Sequence, residues 1–419
     1  MRILFKNVEL CFPGHERHGQ TTDIFLDYNK VGAVGPDLEE PARTRILEGG
    51  VLAPGFVDIG TFSGEPGYEH RESIRTLSHA AAQGGYTHLF VVPNLLPVTD
   101  NLSTVRYLKD KSGLIAIHPM GAVSKQLQGE NLAEIYDMHS GGVEVFSDGL
   151  KPVDQVGLMK RALQYVRAFH GLIVNLPFEK SIEPEGRIHE NEGSTRMGMK
   201  GIPEMSEILM LKRDIDLLDY TESRLLVHQI SSGRSVRILK KKRKEIKGLY
   251  ASVAFLNLIA NSAMIRDFDT NYLVMPPLRE ESDRQALVQG LQEEVIDCIV
   301  SGHLPVEEDR KKIEFAIADY GAATLPFVFP VLFDRLKKQI DLTQLIQCMS
   351  VNPRRITGLD PVWPESGNEI DFVWIDPEGE TQYSRKDFPS KSKNSAFLDQ
   401  SISGKIKGVF YKENYRLFQ

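Results

Sequence analysis

The chain has 419 residues, 41% of them apolar and 26% charged, proportions expected of a globular protein with a large core and an accessory subdomain. A formal net charge of −7 argues against general nucleic-acid binding, and no run of about 18 apolar residues marks a membrane span. Three widely spaced cysteines, Cys11, Cys298 and Cys348, form no CxxC pair; they fit buried thiols in a reducing cytoplasm and offer no zinc–thiolate site.

The N-terminal stretch MRILFKNVELCF alternates like a strand and lacks the basic-then-apolar layout of a secretory signal. It opens a β-rich segment, through DIFLDYN, KVGAVGP and RILEGGVLAPG, in which His15 and His18 fall in a solvated turn. From about residue 54 apolar strands alternate with longer amphipathic segments: GFVDIG, THLFVVPN, LIAIHPM, VEVFSD, LIVNLPF, RLLVHQIS, YASVAFLN and DCIVSGH read as strands. Arg71–Gln83, Val156–Phe169, Met205–Asp219 and Arg284–Glu294 read as helices between them. The run Lys240 to Lys244 is expected to be the solvated end of another helix. Beyond Leu342–Val351 and NPRRITGL the chain turns β-like again, in EIDFVWID, SISGKIKGVFY and NYRLF. This rhythm predicts an α/β fold: a (β/α)8 TIM-type barrel over 54–358, with a small β-sandwich built from 1–53 and 359–419. Chemistry in such barrels collects at the C-terminal ends of the strands.

Those strand ends carry a resemblance. PGFVD, GEPGYEHRESI, GGYTHLFVVPN, FSDGLKPV, ENEGSTRMGMKGIPEMSE, FDTNYLVMPPLREESDRQALVQGL, VIDCIVSGHLP, MSVNPRRITGL and SKSKNSAF occur in the order seen in dihydroorotases of the longer bacterial type, which the chain resembles over nearly its whole length. The resemblance implies a zinc-dependent amidohydrolase of pyrimidine synthesis, and it places that family's metal ligands on particular residues. The two histidines of its first strand fall on Gly60 and Phe62, the next two on Leu176 and Gln229, and the final aspartate on Gly302. Asp148, in Phe146-Ser147-Asp148-Gly149, is the one acidic ligand retained. Zinc needs three or four N, O or S donors at about 2.0–2.3 Å, so the expectation is a site without metal and without the activated hydroxide that the metal supplies.

The family's substrate positions are depleted in the same way. The carboxylate-clamping arginine falls on Gly64, an asparagine before PPLR on Met275, a histidine on Val306, and the substrate loop on the shorter Ala316 to Gly321. Asn94 matches a substrate-binding asparagine, or is kept for its turn. Strand alternation directs His228 away from the barrel interior, and the resemblance puts His303 beside the metal-binding aspartate position, where packing is favoured. His118 sits at a strand end open to the cavity, with nothing nearby in sequence to assemble a site around it. Asp148 and Glu179 offer a carboxylate pair for acid–base work, or else a loop cap and an ion pair. The resemblance therefore implies a non-catalytic relative retained for assembly or regulation, with aspartate transcarbamoylase as a candidate partner and a homodimer as the expected state. An active cyclic-amide hydrolase with a rearranged site, and a small-molecule binder, stay open beside it.

Overall fold

The computed structural model describes residues 2–265 and 267–418. Eight short parallel strands form the barrel: β1 (Phe56–Thr61), β2 (Tyr86–Val91), β3 (Ala116–Pro119), β4 (Val145–Phe146), β5 (Leu172–Asn175), β6 (Leu225–Val227), β7 (Leu249–Ala254) and β8 (Cys298–Val300). Ladders join β1 to β3 and β4 to β8. Two seams close the ring. At one, the Gly121 N–H donates to the Val145 carbonyl (3.0 Å) and the Ser147 N–H to Gly121 (2.9 Å), tying β3 to β4. At the other, the buried carboxylate of Asp58 on β1 accepts from the Ser301 N–H (2.7 Å) and hydroxyl (2.6 Å) just after β8. A side chain thus replaces ladder bonds where the strands splay, and a full set of partners offsets the cost of burying its charge.

Helices cover the outside because their apolar stripes demand it. Ile74–Gln83 starts at Ser73, which forms a capping box with Thr76, and buries Ile74, Leu77, Ala80 and Ala81. Gly233–Lys242 starts at Ser232 and buries Val236 and Leu239, leaving Lys240, Lys241 and Lys242 in its last turn. Cations there complement the helix dipole, and Lys240 pairs with Glu293 at 2.7 Å; the basic run is a helix end, as read. The strand expected over YASVAFLN stops at Ala254, after which Phe255–Ile259 is helical. No helix among the described residues is long and apolar enough to cross a membrane.

The terminal segments build one eight-stranded sheet. Val51–Pro54 lies between the parallel strand Arg2–Leu10 and the antiparallel strand Asp371–Thr381, which in turn pairs with Ile402–Tyr411. Three strand spacings in a flat sheet would separate Arg2–Leu10 from Ile402–Tyr411 by about 14 Å. The rings of Phe5 and Phe410 nonetheless meet at 5.3 Å, with Trp374 against Phe5 at 5.5 Å. The expected sandwich is therefore a single sheet curled on itself around its own apolar cluster.

Candidate functional site

The C-terminal ends of the barrel strands open into a cavity of about 850 Å³. Gly60, Asp148, Leu176, His228 and Gln229 line it, with Met275, Leu304 and Tyr320 around the wall. The sequence reading does bring together most of the positions it singled out, but their chemistry is that of a packed floor. Leu176 is buried and apolar. Phe62 turns its ring to Tyr68 (5.8 Å between centroids) and is not among the cavity residues. Gly302 has a φ of +59°, and a Cβ there would make an ordinary contact, 3.5 Å, with the Ala254 Cβ.

Asp148 is fully engaged. Its Oδ1 accepts from the backbone N–H groups of Val123 (2.9 Å) and Ser124 (2.8 Å), and its Oδ2 from the Ser124 hydroxyl (2.5 Å). Burial raises its pKa, and the bonds from Ser124 and Val123 counter that rise. Glu179 bonds the Ser181 N–H (3.1 Å) and hydroxyl in its own loop, so the two carboxylates serve separate loops. Asn94 holds the Asp148 turn: its amide donates to the Asp148 carbonyl (3.1 Å) and accepts from the Leu150 N–H (2.9 Å). At residue 64 a Cβ would stand 2.3 Å from the Glu72 carbonyl, with φ at +73°, so the backbone there is built for glycine.

Two histidines, His228 and His15, depart from expectation, and His118 settles the alternative left open for it. His228 faces into the barrel, not away from it: a Cβ on Gly60 would stand 2.5 Å from its Nε2. The reason is local. Gln229 adopts a positive φ of 56°, which breaks strict alternation after β6 and lets both residues line the cavity. Burial pulls the His228 pKa down to about 3. His118 does not line the cavity. Its Nε2 meets His88 Nδ1 at 2.8 Å, and His88 Nε2 meets the Asp371 carboxylate at 2.7 Å, between the barrel and the terminal sheet. His15, expected to be solvated, stacks on Trp363 (5.4 Å) and bonds Glu365 at 3.0 Å. His303 packs as expected, its Nδ1 accepting from the Thr324 N–H at 3.0 Å.

Sequence reading missed the segment that ties the loops after β1 and β8 together. Buried Glu72 receives the Ser390 hydroxyl and the Lys391 N–H (3.1 Å), and Asn394 Oδ1 accepts from the Val306 N–H (3.1 Å). The string SKSKNSAF was visible, but no local periodicity announces a contact across more than 300 residues.

Among the described residues no group of three or more His, Cys, Asp or Glu is arranged to hold a metal ion. Of the six positions that the resemblance assigns to zinc ligands, only Asp148 carries a donor of the usual kind, and its oxygens already accept three hydrogen bonds. This donor set does not fit a zinc ion.

An eight-stranded parallel barrel with its cavity at the strand ends and a sheet built from both termini has the architecture of barrel amidohydrolases. Solved structures agree: L-hydantoinase (dihydropyrimidinase) from Arthrobacter aurescens superposes with a TM-score of 0.86 at 20% identity, covering 100% of this chain and 97% of that one. Dihydropyrimidinase from Brevibacillus agri superposes at 0.82 with 18% identity, covering 100% and 95%. The chain belongs to the dihydroorotase family. The Dihydro-orotase-like family pattern matches residues 49–235. A dihydroorotase from Caldicellulosiruptor saccharolyticus is 34% identical over 98% of this chain and 97% of its own length. One from Thermoanaerobacter sp. is 33% identical over 92% and 91%.

Proposed function

We propose that this chain is a non-catalytic member of the dihydroorotase family, metal-free at the barrel mouth and retained for assembly or regulation beside pyrimidine biosynthesis. The observation that carries the reading is the donor set: Gly60, Phe62, Leu176, Gln229 and Gly302 stand where the resemblance places the metal ligands, and the one carboxylate left is bonded to Val123 and Ser124 in the loop after β3. Without the ion there is neither a water of lowered pKa nor a Lewis acid for the carbonyl. Relatives named dihydroorotase support the pathway, and aspartate transcarbamoylase is the proposed partner, with the chain itself a homodimer.

Elemental analysis of protein purified without chelators is expected to find less than one-tenth equivalent of zinc, and dihydroorotate turnover is expected at background. Stoichiometric zinc with turnover would replace this reading by an active enzyme using a rearranged site, which the names of the relatives favour. Affinity purification from the native cell is expected to recover a transcarbamoylase; its repeated absence sinks the partner.

A further inference from the structure

We propose that the barrel mouth is a binding pocket for a small uncharged molecule with an amide or imide edge, gripped by the His228 Nε2–H and the Gln229 carboxamide. The tautomer follows from the bonds on the other side of the ring. Ser252 is fully buried, and its Oγ already accepts from the Gln229 N–H at 3.0 Å. The same Oγ lies 3.0 Å from His228 Nδ1, and the Ser252 hydroxyl proton has no other bonded partner among the described residues. The arrangement that uses every group has Ser252 donating to Nδ1, which leaves the ring proton on Nε2.

That N–H has no bonded partner among the described residues, on a residue only 6% exposed, and its ring edge fills the space left by the missing Cβ of Gly60. The Gln229 carboxamide also lacks a bonded partner among the described residues and lines the same cavity. A carboxamide offers a donor and an acceptor side by side, which matches the N–H/C=O edge of an amide or imide ring. Leu176, Val92 and Met275 supply the apolar surface for such a ring. Charge selects against an anion. Asp148 is the only buried charged side chain among the lining residues, and Gly64 provides no cation. At the rim, Lys151, Lys180, Arg187 and Lys200 are equalled in number by the acids of the lining, with Lys200 paired to Glu185.

The inference rests on the metal-free reading above. Calorimetric titration of the full chain uses uracil as the uncharged probe and orotate as its carboxylated counterpart. Uracil is expected to bind saturably and orotate at least about tenfold more weakly; equal or tighter orotate binding overturns the proposal. Gln229→Met and His228→Phe are expected to weaken uracil by about tenfold or more, each removing one hydrogen-bonding group. If either variant fails to fold, long-range ¹H–¹⁵N spectra of the unaltered protein decide. They are expected to show the Nε2–H tautomer with a shift on adding uracil, and an Nδ1–H tautomer or an unmoved signal overturns it. Zinc measured on the same sample separates the failures. Bound metal sinks the metal-free reading, whereas metal-free protein indifferent to uracil sinks this inference alone.

Discussion

Gly60 and Gly302 stand at two positions that the family resemblance assigns to metal ligands, yet they differ in what introducing a side chain would cost. At Gly60 the φ of +96° and the His228 ring 2.5 Å from a Cβ leave no room for a side chain. Gly60→His is therefore expected to destabilise the fold by about 2–4 kcal/mol, combining backbone strain with displaced packing, as read by urea denaturation. Gly302→Asp meets only an ordinary contact with Ala254 at a φ of +59°, a left-handed backbone that aspartate adopts more readily than most residues, so its cost is expected to stay within about 1 kcal/mol. Equal costs for the two would contradict this picture of the floor. Asp148→Ala orphans the Val123 and Ser124 donors and is expected to cost about 1–3 kcal/mol without altering metal content. A change in bound zinc on that substitution would show the carboxylate to be a ligand after all.

At the level of elements, the barrel was readable because buried parallel strands alternate with helices of clear amphipathic period, and strand-end strings such as GGYTHLFVVPN and FSDGLKPV kept their order. What was not readable is where an element departs from its own period. The positive φ at Gln229 turned His228 inward, and the hydrogen bonds from His118 to His88 and from His88 to Asp371 of the terminal sheet hold His118 away from the cavity. Neither is a property of local sequence. The second case joins the two parts of the molecule: Arg354 reaches the Asp371 carboxylate at 2.6 Å, and His88 meets the same oxygen at 2.7 Å. Burial alone would raise the Asp371 pKa, but Arg354 and then His88 hold it below the usual carboxylate range. Because the folded value lies beneath the unfolded one, the stabilisation is complete above about pH 4 and drains away as pH falls further. Asp371→Asn is expected to cost about 3–5 kcal/mol near pH 7, since it strands a buried Arg354, and clearly less near about pH 3. Denaturation curves at both pH values check this, and a cost independent of pH would refute it.

Taken as a whole, the molecule keeps all three thiols inside. Burial pushes Cys11 and Cys348 up to about 12 and Cys298 well above its ordinary value, so little thiolate exists at neutral pH. No thiol is expected to react with a disulfide reagent in the native state within minutes, and all three are expected to react in denaturant. Rapid native labelling of even one would show that its element opens. The sheet that joins both ends of the chain also sets an order of events during synthesis. Val51–Pro54 pairs with Arg2–Leu10 early, but its other edge is completed only by Asp371–Thr381, roughly 300 residues later. At about 5–20 residues per second the ribosome takes roughly 15–60 s to deliver that strand, and an open edge is a template for mispairing throughout the wait. The newborn protein is thus most exposed to clumping with its neighbours before its tail emerges, and stalled or truncated chains are the ones a cell would have to clear.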